Sequence, residues 1–209
     1  MRIKILDFNY GLLESIRMIN QIDKPVLVLI TGGSCSGKTF LADQLKDKLG
    51  QQGVSVMPLD SFFRDLDDPD LPLNKSGQSL FDVPDSYHQQ EFISAVRALL
   101  SGKDSQIPYY DRGLNRRMPE KFQVVESRPI VIVEGLFVMT MLDEFWLKTI
   151  KIYVDTDVDI CLQRRIERDT VLFGVSVERV EQTFRQKVLP NQKAFILPQR
   201  QRADIIIKT

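Results

Sequence analysis

Eight consecutive residues near the start of the chain have the composition and spacing of a phosphate-binding loop. Residues 32–39 read GGSCSGKT and fit the pattern GxxxxGK[ST]. Small residues let successive backbone N–H groups point inward around a phosphate, and a helix that begins at the loop adds the positive end of its dipole. In such a loop the lysine, here Lys38, reaches the β- and γ-phosphates, and the Thr39 hydroxyl binds Mg²⁺. The candidate nucleotide-binding residues are Gly32, Gly33, Ser34, Cys35, Ser36, Gly37, Lys38 and Thr39.

Two carboxylates each follow a short apolar run. Asp60 comes after residues 54–57, and Glu134 comes directly after residues 130–133. If both runs are parallel strands, both acids lie at the sheet edge where ligands bind in open α/β sheets. Asp60 could then accept the proton of an attacking hydroxyl, and Glu134 could hold Mg²⁺ directly or through water. The candidate metal ligands are Thr39, Glu134 and Asp60.

The elements that would position these groups alternate between strands and helices. Apolar runs at residues 25–30, 54–57, 130–133, 150–154 and 205–207 are typical of strands buried on both faces of a sheet. Helical periodicity separates them at residues 38–49, 91–100, 157–169 and 177–194, the last interrupted by Pro190. We predict an α/β fold with a parallel sheet of about five strands, helices on both faces, and long loops over 65–84 and 107–120.

Composition excludes several other classes of protein. The chain has 209 residues, 28 basic and 28 acidic side chains, one His and two Cys. Charge parity disfavours nucleic acid as a partner, and so few His and Cys exclude a multi-His cluster and a disulfide framework. No run approaches the ~18 apolar residues that cross a bilayer, and the N-terminus does not resemble a signal peptide. We expect a cytoplasmic protein without a membrane or nucleic-acid partner.

The ordered set of motifs resembles the uridine kinase family, within the phosphoribulokinase and pantothenate kinase group of P-loop kinases. The matching strings are GGSCSGKT, LDSFFRDL, FDVPDSY, IPYYDR, VIVEGLF, IYVDTDVDICLQRRIERD and ADIII, in order from about Lys24 to Lys208. The resemblance implies a three-layer P-loop fold with a helical lid over residues 25–209. It also implies transfer of a γ-phosphate from ATP or GTP, with Mg²⁺, to a primary hydroxyl of a small-molecule acceptor. Residues 1–24 precede it as an N-terminal extension in which Phe8, Leu12, Ile16 and Ile19 could share a helix face.

The resemblance also implies roles for individual residues. Asp60 corresponds to the base on the sugar hydroxyl, Asp82 to a ribose ligand, and Tyr110 to an aromatic near the base moiety of the acceptor. Arg164, Arg165 and Arg168 match the lid arginines that neutralise phosphate charge. The implied catalytic residues are Asp60, Lys38, Arg165 and Arg168, and Arg164 joins the nucleotide site. The implied acceptor ligands are Asp60, Phe63, Phe81, Asp82, Tyr110, Asn115, Arg117 and Arg165.

Several acceptor positions depart from the family pattern. The family string YDFxxHxR is here YDRGLNRR, so Arg112 occupies the Phe slot and Asn115 the His slot. The RGR-like turn after the lid is Phe173-Gly174-Val175, and Thr183 stands where a Gln is expected. Because these positions surround the nucleobase in the family, the acceptor could differ from uridine. A nicotinamide riboside kinase, another non-uridine kinase and an inactive nucleotide-binding regulator stay open. A GTPase would need an NKxD string, and residues 74–77 read NKSG. Dimers or tetramers are frequent in the family, so a homo-oligomer is a further expectation.

Overall fold

A parallel sheet of five strands forms the centre of the protein, in a computed structural model that describes residues 13, 16, 25–142 and 149–209. The described strands are β1 (Val26–Gly32), β2 (Val54–Pro58), β3 (Ser105–Asp111), β4 (Arg116–Val125), β5 (Ile130–Glu134), β6 (Thr149–Asp155) and β7 (Ile205–Lys208). The large sheet has the order β2-β5-β1-β6-β7, with every neighbouring pair parallel. The five predicted strands are therefore confirmed.

Alternating side chains of the central strands enter two separate apolar layers. On β1, Leu27 and Leu29 belong to one layer, whereas Val28 and Ile30 belong to the other. All seven residues of β1 are buried, which explains why its sequence is continuously apolar rather than alternating. The prediction of helices on both faces of the sheet is confirmed, because each layer is closed by helices.

The described helices cover these two layers and build a smaller third unit. The α-helices are α1 (Lys38–Leu49), α2 (Gln89–Leu100), α3 (Val138–Met141), α4 (Val158–Phe173), α5 (Val177–Thr183) and α6 (Leu189–Asn191). Helix α1 packs on the layer that contains Val28, and α2 packs on the opposite layer. Cys161 and Leu162 of α4 form a separate small core with Phe184 and Val188. Helix α4, called the lid below, therefore packs on the helical segment that follows it.

The chain stays helical through Pro190, where the sequence predicted an interruption. Two π-helical segments, Phe184–Val188 and Gln192–Ile196, flank α6, and a 3₁₀ segment, Leu197–Arg202, follows. Proline has no N–H to donate and crowds the preceding turn, so wider π turns on either side can carry the helical path past it. The expected break was wrong, and the continuous path keeps this segment over the cleft described below.

A β-hairpin replaces the loop that was predicted over residues 107–120. Strands β3 and β4 pair antiparallel, with Ile107 opposite Gln123 and Asp111 opposite Arg116. The prediction failed because β4 is exposed along most of its length and lacks the apolar alternation of a half-buried strand. The long loop over 65–84 is confirmed, since it contains no α-helix or strand: its regular structure is a bridge between Leu73 and Ser79, and a 3₁₀ turn begins at Pro84.

The predicted N-terminal extension is described only at two positions. Ile16 is fully buried in the layer that contains Val28, and Leu13 packs against that layer. Phe8, Leu12 and Ile19 lie outside the described residues, so the extension over 1–24 and the single domain over 25–209 stay predictions. In the described part of the chain, no helix has the length and apolarity needed to cross a membrane.

Gly135 tests how tightly the strand ends are packed. A Cβ on Gly135, directly after β5, would lie 2.4 Å from the Cβ of Leu59. We expect Gly135→Ala to lower the free energy of unfolding by about 1–3 kcal/mol, because neither neighbour can move without shifting a strand end. Urea unfolding measures this effect. Gly53→Ala is the matched control, since nothing lies within 4 Å of its added Cβ. Equal stability of both variants would contradict the close packing.

Candidate active site

The register of three adjacent strands brings the phosphate-binding loop and both predicted carboxylates together. Glu134, the last residue of β5, pairs with Ile30 of β1 on one side and Pro58 of β2 on the other. The loop begins two residues beyond Ile30, and Asp60 lies two residues beyond Pro58 in a short 3₁₀ segment. These groups line one cleft with a volume of about 930 Å³. The predicted meeting of Asp60 and Glu134 at one sheet edge is confirmed by this arrangement.

The loop after β1 has the backbone of a phosphate cradle. Gly37 has φ 100° and precedes α1, a conformation that favours glycine. Gly32 has φ 153°, and a Cβ there would lie 2.5 Å from the carbonyl oxygen of Val154 on β6. The Lys38 ammonium donates to the Gly33 carbonyl at 2.8 Å, across the mouth of the loop. The chain therefore folds into a loop that side chains at these glycines would close.

Oxygen donors suited to Mg²⁺ lie beside this loop. The Thr39 hydroxyl donates to Glu134 Oε1 at 3.0 Å, and the Glu134 side chain is buried. Burial, and then the charge of Asp60, raise the pKa of Glu134 to about 7. A bound cation would relieve both effects, so Thr39, Glu134 and Asp60 fit a magnesium ion.

A complete protein cage for a metal is not formed by the described residues. Among them, no group of three or more His, Cys, Asp or Glu could hold a metal ion. Mg²⁺ commonly uses one or two carboxylates together with substrate phosphates. The donor set therefore fits an ion that would arrive with a nucleotide, whose charge it would neutralise.

Two arginines of the lid helix α4 donate hydrogen bonds to the phosphate-binding loop. Arg164 Nη1 donates to the carbonyls of Cys35 and Ser36, and Arg165 Nη1 donates to Ser34 Oγ at 3.1 Å. The carboxylate of Asp169 accepts from Nε of Arg165 at 3.2 Å and from Nε of Arg168 at 2.8 Å. The Asp169 carboxylate thus orients both guanidinium groups, and this fixes the directions of their remaining N–H donors.

Aromatic side chains and an acid form the opposite end of the cleft. Phe63 contacts the rings of Phe81 and Tyr110, with centroid distances of 5.9 and 5.3 Å. Asp82 lies beside them, and its withdrawal from water raises its pKa, against the opposing charges of Arg165 and Arg112. This end offers flat apolar surface and a carboxylate, which together suit a ring with hydroxyl groups.

Most of the predicted site residues line this cleft. They are Ser34, Cys35, Gly37, Lys38, Thr39, Asp60, Phe63, Phe81, Asp82, Tyr110, Asn115, Glu134, Arg164, Arg165 and Arg168. Gly32, Gly33 and Ser36 belong to the loop backbone behind that lining. Arg117 is not brought to the cleft wall, because its Nε donates to the Phe63 carbonyl and its Nη1 pairs with Glu91 at 2.7 Å. The geometry gives Arg117 a structural contact there.

Several lining residues were missed as site residues from the sequence. Arg112 pairs with Asp60, and Asp169 anchors the lid arginines. The helical path after the lid contributes Arg179, Lys187 and Asn191. The sequence could have pointed to Arg112, because it departs from the family pattern, but the other positions belong to no motif. Their place depends on how the lid and the segment after it fold over the cleft.

Comparison with protein families agrees with this geometry. The model of the phosphoribulokinase/uridine kinase family matches residues 27–209. The chain is 34% identical over 191 residues to a uridine kinase of Lactobacillus helveticus, covering 91% of this chain and 89% of that protein. It is 35% identical over 184 residues to a chloroplastic uridine/cytidine kinase of Arabidopsis thaliana, covering 88% of this chain. The chain spans only 38% of that plant protein's length.

Solved structures share the fold at low sequence identity. A protein described as a possible uridine kinase from Bacillus stearothermophilus superposes with a TM-score of 0.63 at 17% identity, covering 94% of this chain and 99% of that chain. A phosphoribulokinase from Rhodobacter spheroides gives a TM-score of 0.60 at 17% identity, covering 88% of this chain and 70% of that one. These similarities establish the predicted three-layer fold.

The buried Glu134 carboxyl makes a prediction about stability and pH. Because its pKa is about 7 in the folded protein against an ordinary value of 4.5 for a Glu carboxyl, the folded state binds an extra proton between these pH values. Wild-type stability should therefore fall as pH rises from 4.5 through 7, whereas Glu134→Gln has no such titration. In metal-free protein, the variant should gain about 1–3 kcal/mol relative to wild type between pH 5 and 8. Urea unfolding in EDTA at both pH values measures the difference, and a pH-independent difference would contradict it.

Proposed function

Because this chain belongs to the phosphoribulokinase/uridine kinase family, we propose that it transfers the γ-phosphoryl group of ATP to a primary hydroxyl of a nucleoside. One observation carries the proposal. Asp60, Lys38 and Thr39 line the same cleft, and Glu134 lies between the ends of β1 and β2. Phosphoryl transfer needs this arrangement of a phosphate cradle, a metal ligand and a base for the attacking hydroxyl.

The phosphate-binding loop would hold the nucleotide. Its backbone N–H groups and Lys38 would bind the phosphates, while Arg164 already contacts the loop carbonyls. Thr39 and Glu134, with Asp60, would hold Mg²⁺, which supplies Lewis-acid stabilisation of phosphoryl oxygens when it is bound. ATP is the nucleotide we propose, and GTP is the comparison to test beside it.

The acceptor would lie against the aromatic end of the cleft. Phe63, Phe81 and Tyr110 would contact its rings, and Asp82 would accept hydrogen bonds from ribose hydroxyls. Asp60 would take the proton of the attacking hydroxyl as its oxygen bonds to the γ-phosphorus. Arg165 and Arg168, aligned by Asp169, would stabilise negative charge on the transferred group.

The names of the relatives favour a nucleoside over the other acceptors considered. Relatives named uridine kinase or uridine/cytidine kinase match most of this chain. Asn115 and Thr183, which depart from the family pattern, both line the cleft. Asn115 can donate and accept hydrogen bonds, so it is compatible with a pyrimidine edge. Uridine and cytidine are therefore the first acceptors we propose.

Replacing Asp60 tests the proposed base. We expect Asp60→Asn to lower phosphoryl transfer about 10²–10⁴-fold, because the amide cannot take the hydroxyl proton. The affinity for ATP should change by less than about threefold, because the loop supplies most phosphate contacts. A coupled assay for ADP release and calorimetric titration of ATP measure these two quantities. Asp67→Asn, at an exposed carboxylate outside the cleft lining, is the matched control. Near-normal turnover of Asp60→Asn would show that Asp60 is not the base.

A panel of acceptors tests the proposed substrate class. Purified protein with MgATP should release ADP with at least one nucleoside among uridine, cytidine, adenosine and nicotinamide riboside, and much more slowly with free sugars. We expect this difference because a free sugar has no base to cover the aromatic rings of Phe63, Phe81 and Tyr110. Robust turnover of uridine would contradict the hypothesis that the acceptor differs from uridine. ATP binding without transfer to any acceptor would support a regulatory protein instead.

A further inference from the structure

We infer that Arg112 is a catalytic residue for phosphoryl transfer, contributed by the β3–β4 hairpin to the wall of the cleft. The inference rests on the proposed function, because it assumes that a phosphoryl group passes between the loop and Asp60. In this role the guanidinium group contacts the oxygens of the transferred phosphoryl group. It would complete a clamp whose other arginines come from α4.

The position of Arg112 places its charge at the reaction centre. Its Nη2 pairs with Asp60 Oδ2, and its guanidinium carbon lies 5.6 Å from the centroid of the Phe63 ring. Arg112 therefore lies against Asp60, the proposed base, in the cleft where the phosphoryl group would be transferred.

The hairpin turn holds Arg112 in this position. Asp111 Oδ1 accepts hydrogen bonds from the backbone of Gly113 at 2.8 Å and of Leu114 at 3.1 Å. Asn115 completes the turn with φ 48°. The turn fixes the backbone at Arg112 and Asp60 holds its guanidinium group, so the side chain loses little additional freedom when it binds a phosphoryl group, as preorganised electrostatic catalysis requires.

Beyond Asp169, the described residues of α4 that line the cleft include no cation. Arg165 and Arg168 share the Asp169 carboxylate, and the following lining residues Leu172 and Phe173 are apolar. Phe173 lies near the hairpin tip, since a Cβ added to Gly113 would lie 3.7 Å from its ring. Arg112 lies on that tip. The hairpin therefore places a positive charge where the end of the lid offers only apolar surface.

Proton transfer to Asp60 would free the guanidinium for this role. The acceptor oxygen forms its bond to the γ-phosphorus while its proton moves to the Asp60 carboxylate. The bond from that phosphorus to the β–γ bridging oxygen breaks, and its electron pair leaves with ADP. Because Asp60 becomes neutral in this step, Arg112 loses its paired charge as negative charge accumulates on the phosphoryl oxygens. Two planar N–H donors can then bind these oxygens.

Arg112→Ala tests the inference by two independent measurements. With a working acceptor, kcat should fall about 10²–10³-fold while the KM for the acceptor changes by less than about threefold. Arg112→Lys should recover only part of kcat, because an ammonium lacks the planar fork. Added guanidinium chloride at millimolar concentration should partly rescue Arg112→Ala. Arg116→Ala, on the same hairpin in an exposed pair with Asp67, is the matched control and should be unaffected.

A binding measurement without acceptor separates this inference from the proposed function. Wild-type protein should bind ADP, Mg²⁺ and aluminium fluoride together about 100-fold more tightly than MgADP alone, because aluminium fluoride mimics the transferred phosphoryl group. Arg112→Ala should lose most of that gain and keep its affinity for MgADP. This result is informative even if the wild type phosphorylates no acceptor in the panel. Melting temperatures check that the variants are folded.

Three outcomes would overturn the inference. Arg112→Ala could keep the full gain in affinity with aluminium fluoride, which would exclude contact with the phosphoryl group. Its effect could be confined to the KM of the acceptor, which would make Arg112 an acceptor ligand. Turnover could equal or exceed that of wild type, which would make the pair with Asp60 an inhibitory contact.

Discussion

The site depends on the register of three parallel strands, because this register sets the distance between the phosphate cradle and the acids. Glu134 is level with Ile30 and with Pro58, so the loop after β1 and the turn after β2 leave the sheet at the same edge. Apolar layers on both faces hold that register, since a slip of one residue would move each buried side chain to the wrong layer. Gly135 and Leu59 also pack closely at this edge, where a Cβ on Gly135 would lie 2.4 Å from the Cβ of Leu59.

Electrostatics at this edge contrast with the charge parity of the whole chain. The chain has 28 basic and 28 acidic side chains, whereas the described cleft lining contains seven cationic and four anionic ones. The excess of positive charge suits a polyphosphate, which would not be expected from the overall composition. The acids within it have separate tasks: Asp169 aligns the lid arginines, while Asp60 and Glu134 face the loop.

The departures from the family pattern come together in the folded protein. Arg112 and Asn115 belong to the hairpin, Phe173 ends α4, and Thr183 ends α5, yet all four line the same cleft. Phe173 lies near the hairpin tip, where a Cβ added to Gly113 would be 3.7 Å from its ring. Substitutions that are far apart in the chain therefore change one neighbourhood, where the acceptor would lie and where Arg112 faces Asp60.

The sequence alone determined the five strands of the large sheet, the phosphate-binding loop and the acids Asp60 and Glu134, because each depends on local chemistry. The run before Gly32 is apolar without interruption, and the loop needs small residues next to Lys38. Arg117 could not be judged this way, since only its pairing with Glu91 takes it away from the cleft wall. The hairpin, the helical path through Pro190 and the pairing of Arg112 with Asp60 were decided by tertiary structure. They depend on contacts between residues distant in the chain, and Arg112 and Asp60 are 52 positions apart.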